Sequence, residues 1–437
     1  MQILMPLIAL LYCACFQWAY VKWISPAWGY MGLTYSPPDP SLLAIASAQA
    51  ALLCLLSPLQ LRRTSQLAYW ILYFTVYIPG MLTPLFTQLV TGDKLLFLSL
   101  SLTGGMLLIA LSYRVKLISI GSLSITRELF WKIFILVYVI STVSLLIVFR
   151  NTLHFASLEE VYDVRFASGA VGKENPVISY VGTLLCNVMN PFLIAYGLTA
   201  RRRTLIVIGI LGQIIFYATG ASKAALLSPL FIMGTYFALR KDRGGLVPVF
   251  GLLCCAAFIL LTLAVGTRTT GLFFALASVI LVRSFAIPGV EMGQYQFFFE
   301  RFPHTYFGHV HGVSALIPNP YSMALGQEVG YFFGGAADNG RIDNANVAFF
   351  AMDGIAGFGL PGILVMGILC ALMFWVLDSV SRKYSVTFSA SVLTSCVIDL
   401  SNNSLFSSFL GGGIMLFMLL FLIMPRDFAG ENKVVNS

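Results

Sequence analysis

The chain has 437 residues, of which 58% are apolar and 10% are charged, and its formal net charge is +8. Soluble domains are about 45–50% apolar and about 25% charged, so this composition excludes a soluble enzyme, a disordered chain and a disulfide-stabilised secreted scaffold. A polytopic membrane protein remains. Its continuous apolar segments favour helices over the alternating strands of a transmembrane barrel. Basic residues in such a protein mainly set its orientation, so the positive charge does not indicate nucleic-acid binding.

Apolar segments of about 20 residues, the length that crosses a bilayer as a helix, recur along the whole chain. We therefore predict an all-α polytopic membrane protein with about twelve transmembrane helices. The predicted spans are 3–20, 41–60, 67–90, 95–113, 129–149, 178–199, 204–220, 224–239, 245–266, 359–378, 386–400 and 405–424. The first is interpreted as an uncleaved span, because it has no basic leader region and no small-residue cleavage site follows it.

Basic residues are distributed unevenly between alternate loops. With a cytoplasmic N-terminus, the inner loops and the tail contain Arg62, Arg63, Arg114, Lys116, Arg127, Lys132, Arg201, Arg202, Arg203, Arg240, Lys241, Arg243, Arg382, Lys383, Arg426 and Lys433. The short outer loops contain only Lys22, Lys94 and Lys223. Because cytoplasmic loops carry the excess of Lys and Arg, we expect both termini on the cytoplasmic side.

The eight cysteines all fall within apolar segments, and none lies in a predicted outer loop. They are Cys13, Cys15, Cys54, Cys186, Cys254, Cys255, Cys370 and Cys396. We expect small, buried core residues rather than disulfides or a cysteine metal site.

Two long outer loops interrupt the regular spacing of the spans. The predicted organisation is nine spans in 1–266 with an outer loop at 150–177, a large outer loop at 267–358, and three C-terminal spans with a cytoplasmic tail in 359–437. The apolar run 271–282 is too short to span. Extending it would place Arg283 in hydrocarbon, at a cost of about 2.5–3.5 kcal/mol. We interpret this run as a helix that lies at the outer interface or re-enters it.

Six of the seven basic residues in these two outer loops are arginine. Arginine presents a planar fork that binds phosphate oxygens bidentately and keeps its charge at any working pH. On a face where positive charge is normally scarce, the group indicates an anionic ligand such as a lipid-linked pyrophosphate. The alternative for each is a headgroup anchor or a partner for a loop carboxylate. The candidate phosphate ligands are Arg165, Arg268, Arg283, Arg301 and Arg341, with Lys223 in the tight turn TGASK at 219–223.

All four histidines also lie in the outer loops. The candidates for a general base are His309, His311, Glu300 and Glu328, since each can accept a proton from a hydroxyl. The alternative for each histidine is a hydrogen-bonded loop residue. An H-x-H pair with one unplaced carboxylate is a weak metal signal, so we predict no metal. The segment 302–331 is rich in aromatic residues, which suit the apolar faces of sugars but are also common at membrane interfaces.

Residues 344–362 read NANVAFFAMDGIAGFGLPG. This segment resembles one in bacterial oligosaccharide repeat-unit polymerases (Wzy-type O-antigen or capsule polymerases), in which an Asn-rich loop leads through Phe and Asp into an Ala-x-Phe-Gly entry to a late span. The residues that match in kind are Asn344, Asn346, Phe349, Asp353, Phe358 and Gly359. The turn at 219–223, the number of spans and the pair of outer loops, the later one larger, are also similar to that family.

The resemblance implies a fold like that of the C-type glycosyltransferases, in the bacterial inner membrane, with no cofactor. It implies transfer of a growing glycan from undecaprenyl pyrophosphate to the sugar end of an incoming lipid-linked repeat unit, at the periplasmic face. The basic residues would stabilise the leaving pyrophosphate, and Asn344, Asn346 and Asp353 would hold the loop or the glycan. For Asp353 the alternative is to cap a helix that starts near Gly354. The implied partners are lipid-linked glycans, the bilayer, a chain-length regulator and a flippase, with no nucleic acid.

Three other functions stay open at this point. An O-antigen ligase would use the same kind of donor but transfer the glycan to a lipid A core sugar. A lipid-linked oligosaccharide flippase, or another transporter, is typically built from two similar halves with charges inside its spans. Here few ionisable residues lie within the spans, and the loop at 267–358 breaks any two-fold symmetry. A non-catalytic scaffold would leave the outer arginines and histidines without a role.

Overall fold

The computed structural model describes residues 3–121, 123, 125–151, 175–220, 222–241, 244–266, 271–310, 312–335, 342, 344–347, 349–425 and 428. The regular elements within these ranges are helices. In chain order they are α1 (Leu4–Met31), α2 (Pro40–Leu56), α3 (Ser65–Thr87), α4 (Asp93–Ser112), α5 (Arg127–Val148), α6 (Val177–Thr199), α7 (Arg203–Gly220), α8 (Lys223–Lys241), α9 (Leu246–Gly266), α10 (272–299), α11 (Leu325–Gly334), α12 (Phe349–Phe358), α13 (Leu360–Ser381), α14 (Val386–Leu400) and α15 (Leu405–Ile423).

Each of the twelve predicted spans coincides with one of these helices, so the prediction of an all-helical membrane protein is confirmed. Within the described ranges nine helices are long and apolar enough to cross a membrane: α1, α3, α4, α5, α6, α7, α9, α13 and α15. The helices α2 and α14 are apolar but shorter, at 17 and 15 residues, and α8, at 19 residues, is the twelfth and is not among the nine. The count of twelve spans therefore stays a prediction, whereas the polytopic architecture is established.

Side chains just before several helices fix where the helices begin. Asp39 accepts a hydrogen bond from the backbone N–H of Ser41 at 2.7 Å, and Pro40 then opens α2. Thr126 and Ser385 likewise accept bonds from the first turns of α5 and α14. These short polar side chains satisfy backbone donors that have no partner inside a helix. The boundaries are thus set by local chemistry, while the apolar stretches supply the length.

The loops predicted to face the cytoplasm meet at one end of the bundle. Arg63 donates a hydrogen bond to the carbonyl of Val115 at 2.8 Å, which joins the loop before α3 to the loop after α4. Lys383, between α13 and α14, donates to the carbonyl of Ile120 in that same second loop. Three loops that the charge pattern assigned to one side therefore share one end of the molecule, as a single orientation requires.

The eight cysteines are all buried and free of disulfides. The prediction that they are small core residues is confirmed. They lie among apolar side chains of the spans, where a thiol packs as a small hydrophobe.

The helix predicted at 271–282 is longer than expected. It continues as α10 to Phe299, through a π-helical turn at Val282–Ala286 that contains Arg283. Below that turn Gly289 packs directly against Pro79 and Thr83 of α3. The sequence predicts a short helix because a span extended through Arg283 would place that charge in hydrocarbon. In the structure the helix continues through this residue, whose side chain is exposed.

The predicted large loop at 267–358 also contains the short helices α11 and α12. All residues of α12 from Phe349 to Gly357 are buried. Ten residues of α-helix are about 15 Å long, roughly half of a bilayer core. α12 turns sharply into α13 at Gly359, whose φ of +67° lies in the left-handed region that favours glycine. The pair forms a hairpin inside the bundle rather than an external loop.

Close backbone contacts hold this hairpin against α4. A Cβ on Gly362 of α13 would overlap the carbonyl oxygen of Gly354 in α12, and one on Gly367 would lie 2.6 Å from Cα of Gly105 in α4. Small residues at membrane helix interfaces allow backbones to approach and gain van der Waals contact. The hairpin therefore has a fixed position in the bundle. This also fixes the positions of the residues at its outer end.

Candidate functional site

The loop that follows α10 lies directly on the end of α12. The backbone N–H of Thr305 donates to the carbonyl of Ala356 at 2.8 Å, and ring nitrogen Nδ1 of His304 lies 3.1 Å from the carbonyl of Ile355. These carbonyls belong to the last turn of α12, where backbone acceptors lack partners within the helix, although the Ile355 carbonyl also accepts the N–H of Gly359 at 3.0 Å. The loop therefore completes the helix end and is fixed by it.

Two consecutive non-glycine residues in this loop have left-handed backbone conformations. Tyr306 has a φ of +48° and Phe307 a φ of +66°. Such conformations cost about 1–3 kcal/mol each and persist only where the surroundings impose them. The Phe307 ring packs on Phe358 and Phe406, with centroids 5.3 and 5.7 Å away. The loop conformation is thus held by packing at both of the helices it touches.

The strained turn brings His309 to Asp353 of α12. Nε2 of His309 lies 3.3 Å from Oδ1 of Asp353, and Nδ1 lies 2.7 Å from the hydroxyl oxygen of Thr305. The Asp353 side chain is 1% exposed and that of His309 9%. Both ring nitrogens of His309 are therefore engaged with protein groups. This arrangement favours a positioning role for His309 over the predicted role of general base, since neither nitrogen faces a free site.

Asp353 does cap a helix, but not the one expected. Its own helix begins at Phe349 rather than near Gly354, so Asp353 lies within α12. Oδ2 of Asp353 accepts the backbone N–H of Leu405, the first residue of α15, at 3.0 Å. The sequence suggested a local cap because Asp precedes Gly-Ile-Ala; the actual acceptor–donor pair is 52 residues apart in sequence.

His304 has one ring nitrogen left open. Donation from Nδ1–H to the carbonyl of Ile355 leaves Nε2 as the proton acceptor, and Nε2 has no hydrogen-bond partner among the described residues. The ring is stacked on Phe299, with centroids 5.6 Å apart and planes inclined by 11°. The geometry for accepting a proton is therefore present at His304. Sequence reasoning passed over this residue, since only its contact with Ile355 sets it apart. His311 lies outside the described residues.

Glu300 is a structural tie in this arrangement. Its Oε2 pairs with Nζ of Lys94 at 2.8 Å, and its Oε1 accepts from the amide of Gln296 at 2.8 Å. Lys94 is the second residue of α4, so the pair joins the end of α10 to the start of α4. Both carboxylate oxygens are engaged, which argues against the predicted role of general base.

Glu328 lies in an open cleft of about 550 Å³ beside the same loop. The cleft is lined by Phe298, Phe302, Tyr321, Glu328, Tyr331, Phe332 and Gly335. Oε1 of Glu328 accepts the backbone N–H of Met323 at 2.8 Å, while Oε2 has no hydrogen-bond partner among the described residues. Partial burial and then the Glu328 carboxylate raise the pKa of Tyr321 to about 12, so the phenol stays protonated. It donates to the carbonyl of Pro303 at 2.6 Å.

Asn344 and Asn346 enclose the first turn of α11. A Cβ on Gly326 would overlap the side-chain oxygens of both asparagines. The backbone N–H of Ala345 donates to the carbonyl of Gly326 at 2.9 Å. Of the two predicted roles, holding the loop is the one that these contacts support. On the other side of this segment, the backbone N–H of Val347 donates to the buried carboxylate of Glu291 in α10, a residue that the sequence analysis did not single out.

The predicted phosphate ligands are not gathered in the described part of the chain. Arg165, Arg268 and Arg341 lie outside the described residues. Arg301 stacks over the ring of Phe297 at 3.4 Å and donates to the Phe297 carbonyl at 2.8 Å. It is separated from Arg283 by 18 residues, which is about 27 Å along a helix. Arg283 is exposed and makes no hydrogen bond or ion pair with any described residue.

The turn at 219–223 joins α7 to α8 as predicted, but its phosphate cradle is incomplete. Lys223 is exposed at the start of α8. The Thr219 hydroxyl is buried and donates to the carbonyl of Phe216 at 2.7 Å, so its proton is not available to a ligand. Lys223 and Ser222 remain as the candidate donors of this turn.

The helices and their buried polar contacts together define a polytopic helical membrane protein. At one end, residues 300–310 after α10, the end of α12 from Asp353 and the start of α15 at Leu405 form an ordered polar surface, which we call the platform. Among the described residues, no group of three or more His, Cys, Asp and Glu side chains is placed to hold a metal ion. No family model, curated protein or solved structure matches the chain.

Proposed function

We propose that the protein polymerises undecaprenyl-pyrophosphate-linked oligosaccharide repeat units at the periplasmic face of the bacterial inner membrane, in twelve spans with cytoplasmic termini. The observation that carries the proposal is Arg283. Its guanidinium is exposed at the π-helical turn of a helix packed within the bundle and has no described hydrogen-bond or ion-pair partner. The described charge that acts on it is the buried carboxylate of Glu291, eight residues further along α10, and the exposed side of the guanidinium stays open to an anionic ligand. A pyrophosphate carried by a polyprenyl chain is an anion of this kind, held at the membrane by its lipid.

The platform supplies the remaining requirement, which is fixed geometry. The loop after α10 is held by α12 and α15, and α12 is held by α4 and α13, so side chains on this face do not need to be ordered when a substrate binds. Preorganised groups lower the free energy of a transition state because no reorganisation is needed during the reaction.

In the proposed reaction an acceptor sugar hydroxyl attacks the anomeric carbon of the donor glycan. A new C–O bond forms, the bond from that carbon to the pyrophosphate oxygen breaks, and undecaprenyl pyrophosphate leaves with the electron pair. Arg283 stabilises the negative charge that develops on the leaving oxygen. The hydroxyl proton is accepted by a base, for which Nε2 of His304 is the open nitrogen on the platform.

The test is the length of surface glycan in a strain that lacks the gene and is complemented with variants. Deletion is expected to leave a single repeat unit on each core, and wild-type protein is expected to restore the ladder. Arg283→Ala is expected to behave like the deletion while the protein still accumulates in the membrane. Arg283→Lys keeps the charge but loses the bidentate fork, so shorter chains are expected. Arg203→Ala, an exposed arginine at the start of α7, is the matched control and is expected to give full length.

Two outcomes would contradict the proposal. A full ladder with Arg283→Ala removes Arg283 from the reaction. Complete loss of surface glycan in the deletion strain would instead indicate a ligase or a flippase, because those activities act on every glycan and not only on long ones.

A further inference from the structure

The aromatic residues around Glu328 form a preassembled concave surface. Phe298 is buried at its centre and stacks on Phe302 with centroids 4.5 Å apart. The Phe332 ring meets both edge-on, at 5.5 and 5.4 Å. Aromatic rings in such stacked and perpendicular contacts support one another. The walls of the cleft therefore keep their shape without a ligand.

Two rings on the rim are unusually exposed for their size. Tyr331 is 50% exposed and Phe332 is 43% exposed, and they are neighbours in α11. Large exposed apolar side chains in a concave surface mark a binding site when polar groups converge on them. Here the polar group is the Glu328 carboxylate, whose Oε2 has no partner among the described residues.

The combination of rings and a carboxylate selects one class of ligand. A carboxylate repels phosphate groups, so the cleft disfavours both anionic headgroups and pyrophosphate. Sugar hydroxyls are donors that a carboxylate accepts strongly. The apolar face of a pyranose fits against a ring, while its edge offers those hydroxyls. A lipid-facing aromatic belt would need neither the concavity nor the acid.

We propose that this cleft binds a pyranose ring of the acceptor glycan, with Phe332 and Tyr331 against its apolar face and Glu328 accepting its hydroxyls. The inference rests on the proposed function and adds to it a subsite for neutral sugar, distinct from the arginine that serves the pyrophosphate. Phe299 links His304 to the cleft. Its ring stacks on His304, and its centroid lies 6.1 Å from the ring centroid of Tyr321 in the cleft lining. An acceptor held in the cleft thus lies on the same rigid unit as the open ring nitrogen.

The first experiment measures binding without activity. The full-length protein in nanodiscs is examined by saturation-transfer difference NMR with methyl glycosides of hexoses, 6-deoxyhexoses and N-acetylhexosamines. Transfer to ring C–H protons of at least one glycoside is expected, and Phe332→Ala and Tyr331→Ala should each weaken it about fivefold. Glu328→Gln keeps an acceptor for the Met323 N–H but loses the charge, so weaker transfer is expected there too. Phe237→Ala, which removes an equally exposed ring of α8, is the matched control and should have no effect.

The inference is overturned by either of two results. One is that no glycoside receives saturation from the wild-type protein. The other is that transfer is the same in Phe332→Ala and Tyr331→Ala as in Phe237→Ala.

The glycan ladder separates failure of the cleft from failure of the proposed function. If Phe332→Ala and Tyr331→Ala give full-length chains while Arg283→Ala does not, the polymerase proposal stands and the cleft is not an acceptor subsite. If the deletion strain itself makes full-length chains, the polymerase proposal fails, whatever the NMR shows.

Discussion

Asp353 shows how a single buried carboxylate can join three segments of the chain. Asp353 belongs to α12. Its Oδ1 contacts Nε2 of His309 in the loop after α10, and its Oδ2 accepts the backbone N–H of Leu405 in α15. A carboxylate this deeply buried is stable only when its oxygens are hydrogen-bonded. Its main contribution is therefore expected to be to the stability of the platform.

The expected effect of Asp353→Ala is a loss of stability. Removal of the carboxylate leaves the Leu405 N–H and a His309 nitrogen buried without partners, which costs about 1–3 kcal/mol. The thermal midpoint of the detergent-purified protein, followed by intrinsic fluorescence, should fall by several degrees. Asp93→Ala alters an exposed acid in the first turn of α4 and serves as the control, with little expected change. An unchanged midpoint together with loss of long glycan would assign Asp353 to the chemistry instead.

At the scale of elements, the hairpin of α12 and α13 decides where the platform stands. Its two helices and α4 approach at glycines rather than at large side chains, and Phe350 of α12 fills the space above Gly105. Membrane helices gain little from apolar burial because lipid is equally apolar, so close packing carries the association. The position of the outer groups thus depends on backbone contacts between α12, α13 and α4.

Gly362→Ala is expected to push α12 away from α13. The added methyl would overlap the Gly354 carbonyl, and crowding of this kind costs about 1–3 kcal/mol. The variant should insert normally but unfold at a lower temperature and lose long-chain glycan. In α8 a Cβ on Gly234 meets nothing within 4 Å, so Gly234→Ala is the matched control. Equal thermal midpoints for the two variants would contradict the close contact.

How well each helix can be predicted depends on whether its limits are set by neighbouring residues in the sequence or by contacts with other helices. The limits of α14 agree with the prediction because Ser385 and a continuous apolar run are local features. α10 was predicted too short because nothing local shows that an exposed Arg283 can interrupt an apolar surface. The sequence predicts a loop where α12 lies, because the burial of this helix depends on α4 and α13 and not on its own ten residues.

At the scale of the whole molecule, hydropathy and charge predict the helical bundle. Its outer face is formed by contacts between residues that are far apart in the sequence. The ion pair of Lys94 with Glu300 joins positions 206 residues apart, and no spacing rule in the sequence connects them. The same holds for the asparagines around Gly326. The sequence therefore predicts which residue types lie on one face. Which of them pair, and that one nitrogen of His304 is open, follow only from the fold.

The orientation itself can be measured with introduced cysteines, because the eight native thiols are buried. Ser314 is exposed on the loop after α10, and Arg203 is exposed at the start of α7. Each is replaced in turn, as Ser314→Cys and Arg203→Cys. A membrane-impermeant maleimide applied to spheroplasts is expected to label the first and to reach the second only after permeabilisation. The wild-type protein should stay unlabelled. The reverse pattern would invert the topology and move the platform into the cytoplasm.

The bond from Leu405 to Asp353 also has a consequence for biogenesis. A ribosome delivers α12 to the translocon well before α15, so the nascent hairpin passes through a period in which its acid has no backbone donor. Only arrival of the last span closes the assembly. A polypeptide that stops short of that span would keep the His309 contact but leave the second oxygen of Asp353 without its backbone donor, so incomplete copies are expected to be less stable and more readily degraded.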